Sequence, residues 1–302
     1  MVATIFSQGR FNMRRVLLAT TALVALNVSA ASADISIGGE AVFEVYSPAS
    51  GAQTYTTDGS IVITASNTLD NGMTVSAVQD MKFEGSSSVN DSYIELKGDF
   101  GTVRMGTTDG ALDRNDGNLA ANMDLETTGA GSGNLSATAI GGDSANISFF
   151  APSMSGLSLY GELEADGAGS GVGANYSIGG ISIMAQAAQE VATTSGVTDA
   201  NALGIKFSAA GFTVQAGATT KDANSAAAKV KANDVGVSYS IDGIKVVATS
   251  ARGKQGTRTD KYDNIGVSYS IAPGVTAMIE TGEGRVNGTT TDATWAAISV
   301  KF

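Results

Sequence analysis

Three observations predict an all-β fold, a transmembrane up-and-down antiparallel β-barrel. An apolar export segment opens the chain, apolar and polar residues then alternate with period two in stretch after stretch, and a unit of about 30 residues recurs. Composition narrows the chemistry before any element is placed. The 302 residues include 18 Lys+Arg and 29 Asp+Glu, a formal net charge of −11, with no His and no Cys. No Ser-His-Asp or Cys-His nucleophile, His or Cys zinc site, or disulfide framework can be built from such a chain, so no enzyme activity is expected. The acidic balance likewise speaks against nucleic acid as a partner.

Arg10, Arg14 and Arg15 precede an apolar run from Val16 to Val28, and Ala31-Ser32-Ala33 supplies a small-x-small cleavage site. The run is shorter than the roughly 20 residues a membrane-spanning helix needs. Residues 1–33 are therefore expected to be a signal peptide and residues 34–302 the barrel domain. No later stretch is apolar for long enough to cross a membrane as a helix, which leaves strands.

The first strand shows the pattern. Ile35, Ile37, Gly39, Ala41, Phe43 and Val45 fall on one parity, with Ser36, Gly38, Glu40 and Glu44 on the other, so one face is apolar. The alternation returns around Met73–Phe83, Ile181–Ala187, Phe212–Ala218 and Val275–Ile279. Such strands approach the ~9–11 residues of a tilted membrane-spanning strand.

An internal repeat orders the strands. Gly236-Val-Ser-Tyr-Ser-Ile241 reappears as Gly266-Val-Ser-Tyr-Ser-Ile271, with looser copies at Gly173, Gly204 and Ala297. The copies before the last are followed by Gly179-Gly180, Ala210-Gly211, Asp242-Gly243 and Ala272-Pro273-Gly274, each a tight turn, and then by another alternating strand. Longer polar segments follow, such as Lys221–Lys231, Gly253–Lys261 and Glu283–Thr291, and are expected to be loops. Two strands, a short turn and a long loop per repeat describe a barrel with short periplasmic turns and long outer loops. Strands are expected at 35–46, 60–69, 73–84, 91–97, 102–107, 145–151, 157–164, 171–178, 181–191, 201–208, 212–220, 232–241, 244–252, 262–271, 275–282 and 293–302. Sixteen strands, an even number, let the first and last pair antiparallel, and the barrel is wide enough for an aqueous lumen.

One connection departs from the rest. Close to forty residues separate Thr107 from Ala145, and loops of that length are usually functional or disordered. The segment holds Asp109, Asp113, Arg114, Asp116, Asp124 and Glu126 before a Gly/Ser-rich run from Gly129 to Gly142. One expectation is a solvated outer loop. The other is a third loop folded into the lumen, narrowing it and setting carboxylates against basic wall residues. Arg104 is expected to face it, because Val103 and Met105 take the apolar parity, and Lys82 points inward by the same logic between Met81 and Phe83.

These residues carry a resemblance. Leu96-Lys-Gly-Asp-Phe-Gly-Thr-Val-Arg-Met-Gly106 resembles the strand-turn-strand that precedes the constriction loop of general bacterial porins, especially those of alphaproteobacteria. Asn146-Ile-Ser-Phe-Phe-Ala-Pro-Ser-Met-Ser-Gly-Leu157 is similar to the segment after that loop, and Ile298, Val300 and Phe302 resemble the aromatic-ended strand read by the outer-membrane barrel assembly machinery. The resemblance implies a sixteen-stranded homotrimeric diffusion porin of the bacterial outer membrane. It further implies export through the periplasm, contact with outer-membrane lipid, an inward third loop and small hydrophilic solutes as cargo. The sequence lacks the dense row of wall arginines that would set up a strong transverse field.

Other patterns carry less. Gly169-Ser-Gly171-Val-Gly-Ala174 matches a dinucleotide fingerprint, yet a strand follows it and no helix N-terminus is offered to a pyrophosphate. No cofactor is expected, although Ca²⁺ could bridge carboxylates of the acidic outer loops. Tyr176, Phe207, Tyr239 and Tyr269, one per repeat, suit an interfacial aromatic girdle. A secreted Gly-rich adhesin or solenoid is the alternative that the same alternation allows.

Overall fold

The computed structural model describes residues 33–83, 88–123, 125, 140, 145–164, 169–190, 197–223 and 229–302. The export segment, apart from Ala33, lies outside the described residues. Sixteen strands follow in order: β1 (Asp34–Pro48), β2 (Thr54–Thr68), β3 (Thr74–Lys82), β4 (Ser88–Gly98), β5 (Gly101–Thr107), β6 (Ala145–Phe150), β7 (Leu157–Glu164), β8 (Gly169–Ile178), β9 (Ile181–Glu190), β10 (Val197–Ala209), β11 (Phe212–Ala223), β12 (Val230–Ile241), β13 (Ile244–Gln255), β14 (Arg258–Ala272), β15 (Val275–Val286) and β16 (Thr289–Lys301). Sequence neighbours are sheet neighbours, and β16 pairs antiparallel with β1 to close the barrel. Closure removes the free edges that an open sheet would present, and it excludes the stacked coils of a solenoid.

The alternation in the sequence becomes the two faces of the wall. Val237 of β12 is 44% exposed on the outside while Ser238 beside it is 6% exposed on the inside. Ile205, Ile265, Ile279 and Ile298 are exposed in the same way, as a lipid-facing wall requires. Phe207, Tyr176 and Tyr269 point outward at the short-turn end, and Tyr239 meets the ring of Phe212 with centroids 4.3 Å apart.

At the seam, Gly39 and Phe302 exchange backbone hydrogen bonds of 3.0 and 3.1 Å, extending the β1–β16 ladder past Lys301. The Phe302 ring lies over Gly39, where a Cβ would come within 2.9 Å of it. Glycine is required there because a Cβ would also run into the backbone carbonyl oxygen of Ser60 on β2.

Two of the expected loops are not loops. Gly253–Lys261 and Glu283–Thr291 are mostly strand: Gln255 pairs with Arg258 across Gly256-Thr257, and Val286 with Thr289 across Asn287-Gly288. Asn287 and Gly288 sit at φ of +50° and +86°, the left-handed pair of a type I′ hairpin. Their polarity reflects strands continuing beyond the apolar band. The wall is consequently uneven, with 13 to 15 residues in β10, β14 and β16 but 7, 6 and 8 in β5, β6 and β7.

The packed interior lies against the inner wall. One apolar cluster joins Ala111, Leu112, Leu119 and Ile140 of the third loop to Tyr160, Met184, Ala200 and Ala202 of the strands, and a second joins Ala120 and Met123 to Val247.

Candidate functional site

The third loop turns into the barrel. Its first half contains two short 3-10 helices, Asp113–Asn115 and Ala120–Met123, and Leu112 between Ala111 and Asp113 is 0% exposed. A backbone without a sheet partner needs hydrogen bonds when buried. Inward-facing wall side chains supply them. Asn146 of β6 donates to the Thr108 carbonyl at 2.6 Å, and Glu162 of β7 accepts from the Leu112 amide at 2.9 Å. Gln186 of β9 donates to the Leu112 carbonyl at 2.6 Å, and Gln215 of β11 to the Gly117 carbonyl at 2.7 Å. Further along, Lys245 of β13 reaches the Met123 carbonyl at 3.5 Å and Glu280 of β15 accepts from the Leu125 amide at 2.9 Å. The described part of the loop thus runs along the wall from β6 to β15, with the arc of β16 and β1–β3 on the opposite side of the barrel.

Glycines make room for this path. A Cβ at Gly171, Gly204, Gly217, Gly236 or Gly266 would stand 2.7–2.9 Å from Leu112, Asn118, Leu119, Met123 or Leu125, respectively. Gly204, Gly236 and Gly266 head successive copies of the repeat. All three lie on the inward parity, opposite in sense to the lipid-facing Ile205, Val237 and Val267.

The charged residues gather where the loop begins. Arg104 of β5 faces inward, donates from Nε to Glu95 of β4 at 2.6 Å, and stands 5.1 and 5.5 Å from the ring centroids of Tyr93 and Phe150. Arg114 of the loop sits 6.0 Å from the same Tyr93 ring, with Asp91 at 3.7 Å, Asp109 at 3.9 Å and the Thr108 hydroxyl at 3.0 Å. A cavity of about 310 Å³ is lined by Glu95, Lys97, Arg104, Arg114 and Asn115, with Thr102 and Phe150. Three cations and one carboxylate thus flank one cavity between loop and wall.

The expected residues divide accordingly. Asp109, Arg114 and Arg104 meet through the Tyr93–Asp91–Glu95 face of β4. Asp113 and Asp116 are half-buried around the first 3-10 helix. Asp124 and Glu126 lie outside the described residues. Lys82 stands on the inward parity opposite Ser60 at the far end of β3 and does not line the Arg104 cavity. The nearest partner of Arg104 is Glu95 on the neighbouring strand, set by direct cross-strand pairing, and the loop brings a second arginine toward it. The alternation puts Glu40, Glu44 and Asp80 on the polar face of their strands but assigns no role to them, to Asp58, or to the inward carboxylates and amides that hold the loop. Inward parity combined with an acidic or amide side chain was the available signal for all of them.

A family profile described as Gram-negative porin matches residues 19–289. No curated protein sequence matches the chain. Among solved structures, OmpT of Vibrio cholerae, folded in vitro and described as the trimer form, superposes with a TM-score of 0.72 at 13% identity, covering 90% of this chain and 100% of that one. A mutant of Rhodobacter blastica porin gives 0.69 at 17% identity over 89% and 100%, and Salmonella typhi OmpF in complex with daunomycin gives 0.73 at 14% over 89% and 97%. At these identities the likenesses carry the fold alone.

Proposed function

The chain belongs to the Gram-negative porin family, channels of the bacterial outer membrane, and from that premise we propose that it passes small hydrophilic solutes and ions by passive diffusion through the gap the third loop leaves in the lumen. The observation that carries this reading is the fastening of the loop. Wall side chains from β6 to β15 hold its backbone, so the constriction is a fixed part of the channel. Carboxylates of the loop (Asp109, Asp113, Asp116, Asp124, Glu126) and of the open arc (Glu40, Glu44, Asp58, Asp80) favour cations weakly, with Lys97, Arg104 and Arg114 on one flank and Lys82 at the rim moderating that preference. No bound group enters this account, and catalysis has no role in it.

The working unit is a homotrimer, a reading supported by the trimeric OmpT that the barrel resembles. Cleavage after Ala33 leaves a chain that opens on the first residue of β1, and the Ile298–Val300–Phe302 face serves the barrel assembly machinery. Reconstitution into planar bilayers tests the whole reading. Ohmic conductance that closes in three equal steps is expected; absence of conductance, or a single closing step, contradicts it.

A further inference from the structure

The outer surface of β12–β15 carries a ladder of cations at the end away from the chain termini. Cross-strand pairing sets Arg252 of β13 opposite Lys261 of β14, and Lys261 opposite Arg285 of β15. Lys231 of β12 likewise stands opposite Lys254 of β13. All five share the outward parity of Val235, Val246, Ile265 and Ile279, the apolar band from which one to three outward positions separate them on each strand. Like charges placed directly opposite destabilise an antiparallel pair, so these two sets call for a counter-charge. Asp263 faces Lys261 and Arg252, and Glu283 and Asp292 extend a carboxylate row from it along β15 and β16, nearer the apolar band. At the outermost level the cations are in excess, and among the described residues Lys231, Lys254 and Arg285 form no ion pair. A concavity of about 770 Å³ lies among these cations.

We propose that this ladder holds the phosphate-bearing headgroup of an anionic lipid in the external leaflet, with the acyl chains on the apolar band below. Position selects the occupant. Side chains just beyond the apolar band of a membrane barrel stand at headgroup depth, where basic residues attract anionic lipid. The ladder and that band lie on the same outer face of the same strands, so one molecule that reaches past the intervening carboxylate row touches both surfaces, whereas a soluble anion would use only the upper one.

The full protein, reconstituted into phosphatidylcholine vesicles with spin-labelled phosphatidic acid or spin-labelled phosphatidylcholine as probe, reports which lipid is immobilised at its surface. Wild-type protein is expected to enrich the phosphatidic acid. Arg252→Gln alone should lower the enrichment roughly fivefold, and the triple variant Arg252→Gln/Lys261→Gln/Arg285→Gln further, at about the same factor per cation. Conductance in the same vesicles verifies that each variant is folded. Rising NaCl should erode the wild-type enrichment, a reading independent of any substitution. Equal enrichment in wild type and variants overturns the proposal. So does loss of enrichment when inorganic phosphate replaces chloride at constant ionic strength, which assigns the ladder to a soluble anion. Loss of the native oligomer in the variants with lipid preference intact assigns it to a second copy of the chain and overturns it as well.

Discussion

Val237 and Ser238 differ by one position and by 44% against 6% exposure, and that contrast sets what each site tolerates. An Arg at Val237 or at Ile279 should cost about 2–4 kcal/mol of stability in vesicles if the site lies near the midplane, measured by urea unfolding. Removing the cation of Lys206, which takes the inward parity of β10 between the outward Ile205 and Phe207, by Lys206→Ser should cost much less; equal losses would contradict the inside–outside assignment. Phe302 is a second single-residue case. Its main chain completes the seam with Gly39 and its exposed ring covers that glycine, so deleting it removes two hydrogen bonds and the last lipid-facing side chain of the seam. Assembly yield in the outer membrane should fall while the conductance of the molecules that do assemble is unchanged; wild-type yield would contradict the role given to this terminus.

The third loop is the element on which function turns, and its attachment makes specific demands. Gly204 has no space for a side chain, since a Cβ would stand 2.9 Å from both the Asn118 backbone oxygen and its Cβ. Gly204→Val should therefore push the loop toward the open arc and lower single-channel conductance. Glu162→Ala leaves the buried Leu112 amide without its acceptor, a cost of about 1–3 kcal/mol, and should release this part of the loop, giving noisier current. Unaltered, quiet channels from both variants would mean that the loop is not held as described. The strands themselves were legible because lipid outside and water inside impose period two, and the repeat counted them. The hairpin at Asn287-Gly288 was obscured because strands that rise past the apolar band lose their lipid-facing hydrophobic signal, and polar sequence then resembles loop. The loop's route was hidden for a different reason. Its partners, Glu162, Gln186, Gln215 and Glu280, are scattered across more than a hundred residues and converge only when the barrel closes. The repeat glycines marked the floor of that route, yet mid-strand glycine carries no label for what approaches it.

For the whole molecule, net charge is a poor guide to permeation. Carboxylates at the outer mouth are screened within ~8 Å at physiological salt, so the charges lining the narrowest section outweigh the total of −11. Beside the third loop, Arg104 is tied to Glu95 and Arg114 to Asp91 and Asp109, so both signs of charge stand on that stretch of the inner wall. The reversal potential of a planar bilayer in a salt gradient tests this account most directly. Wild-type channels should prefer cations weakly. Neutralising Asp109, Asp113, Asp116, Asp124 and Glu126 together should move the reversal potential toward anion preference, and Arg104→Gln with Arg114→Gln should move it toward stronger cation preference. A reversal potential that stays fixed in both variants would place the loop outside the conducting path and contradict the account.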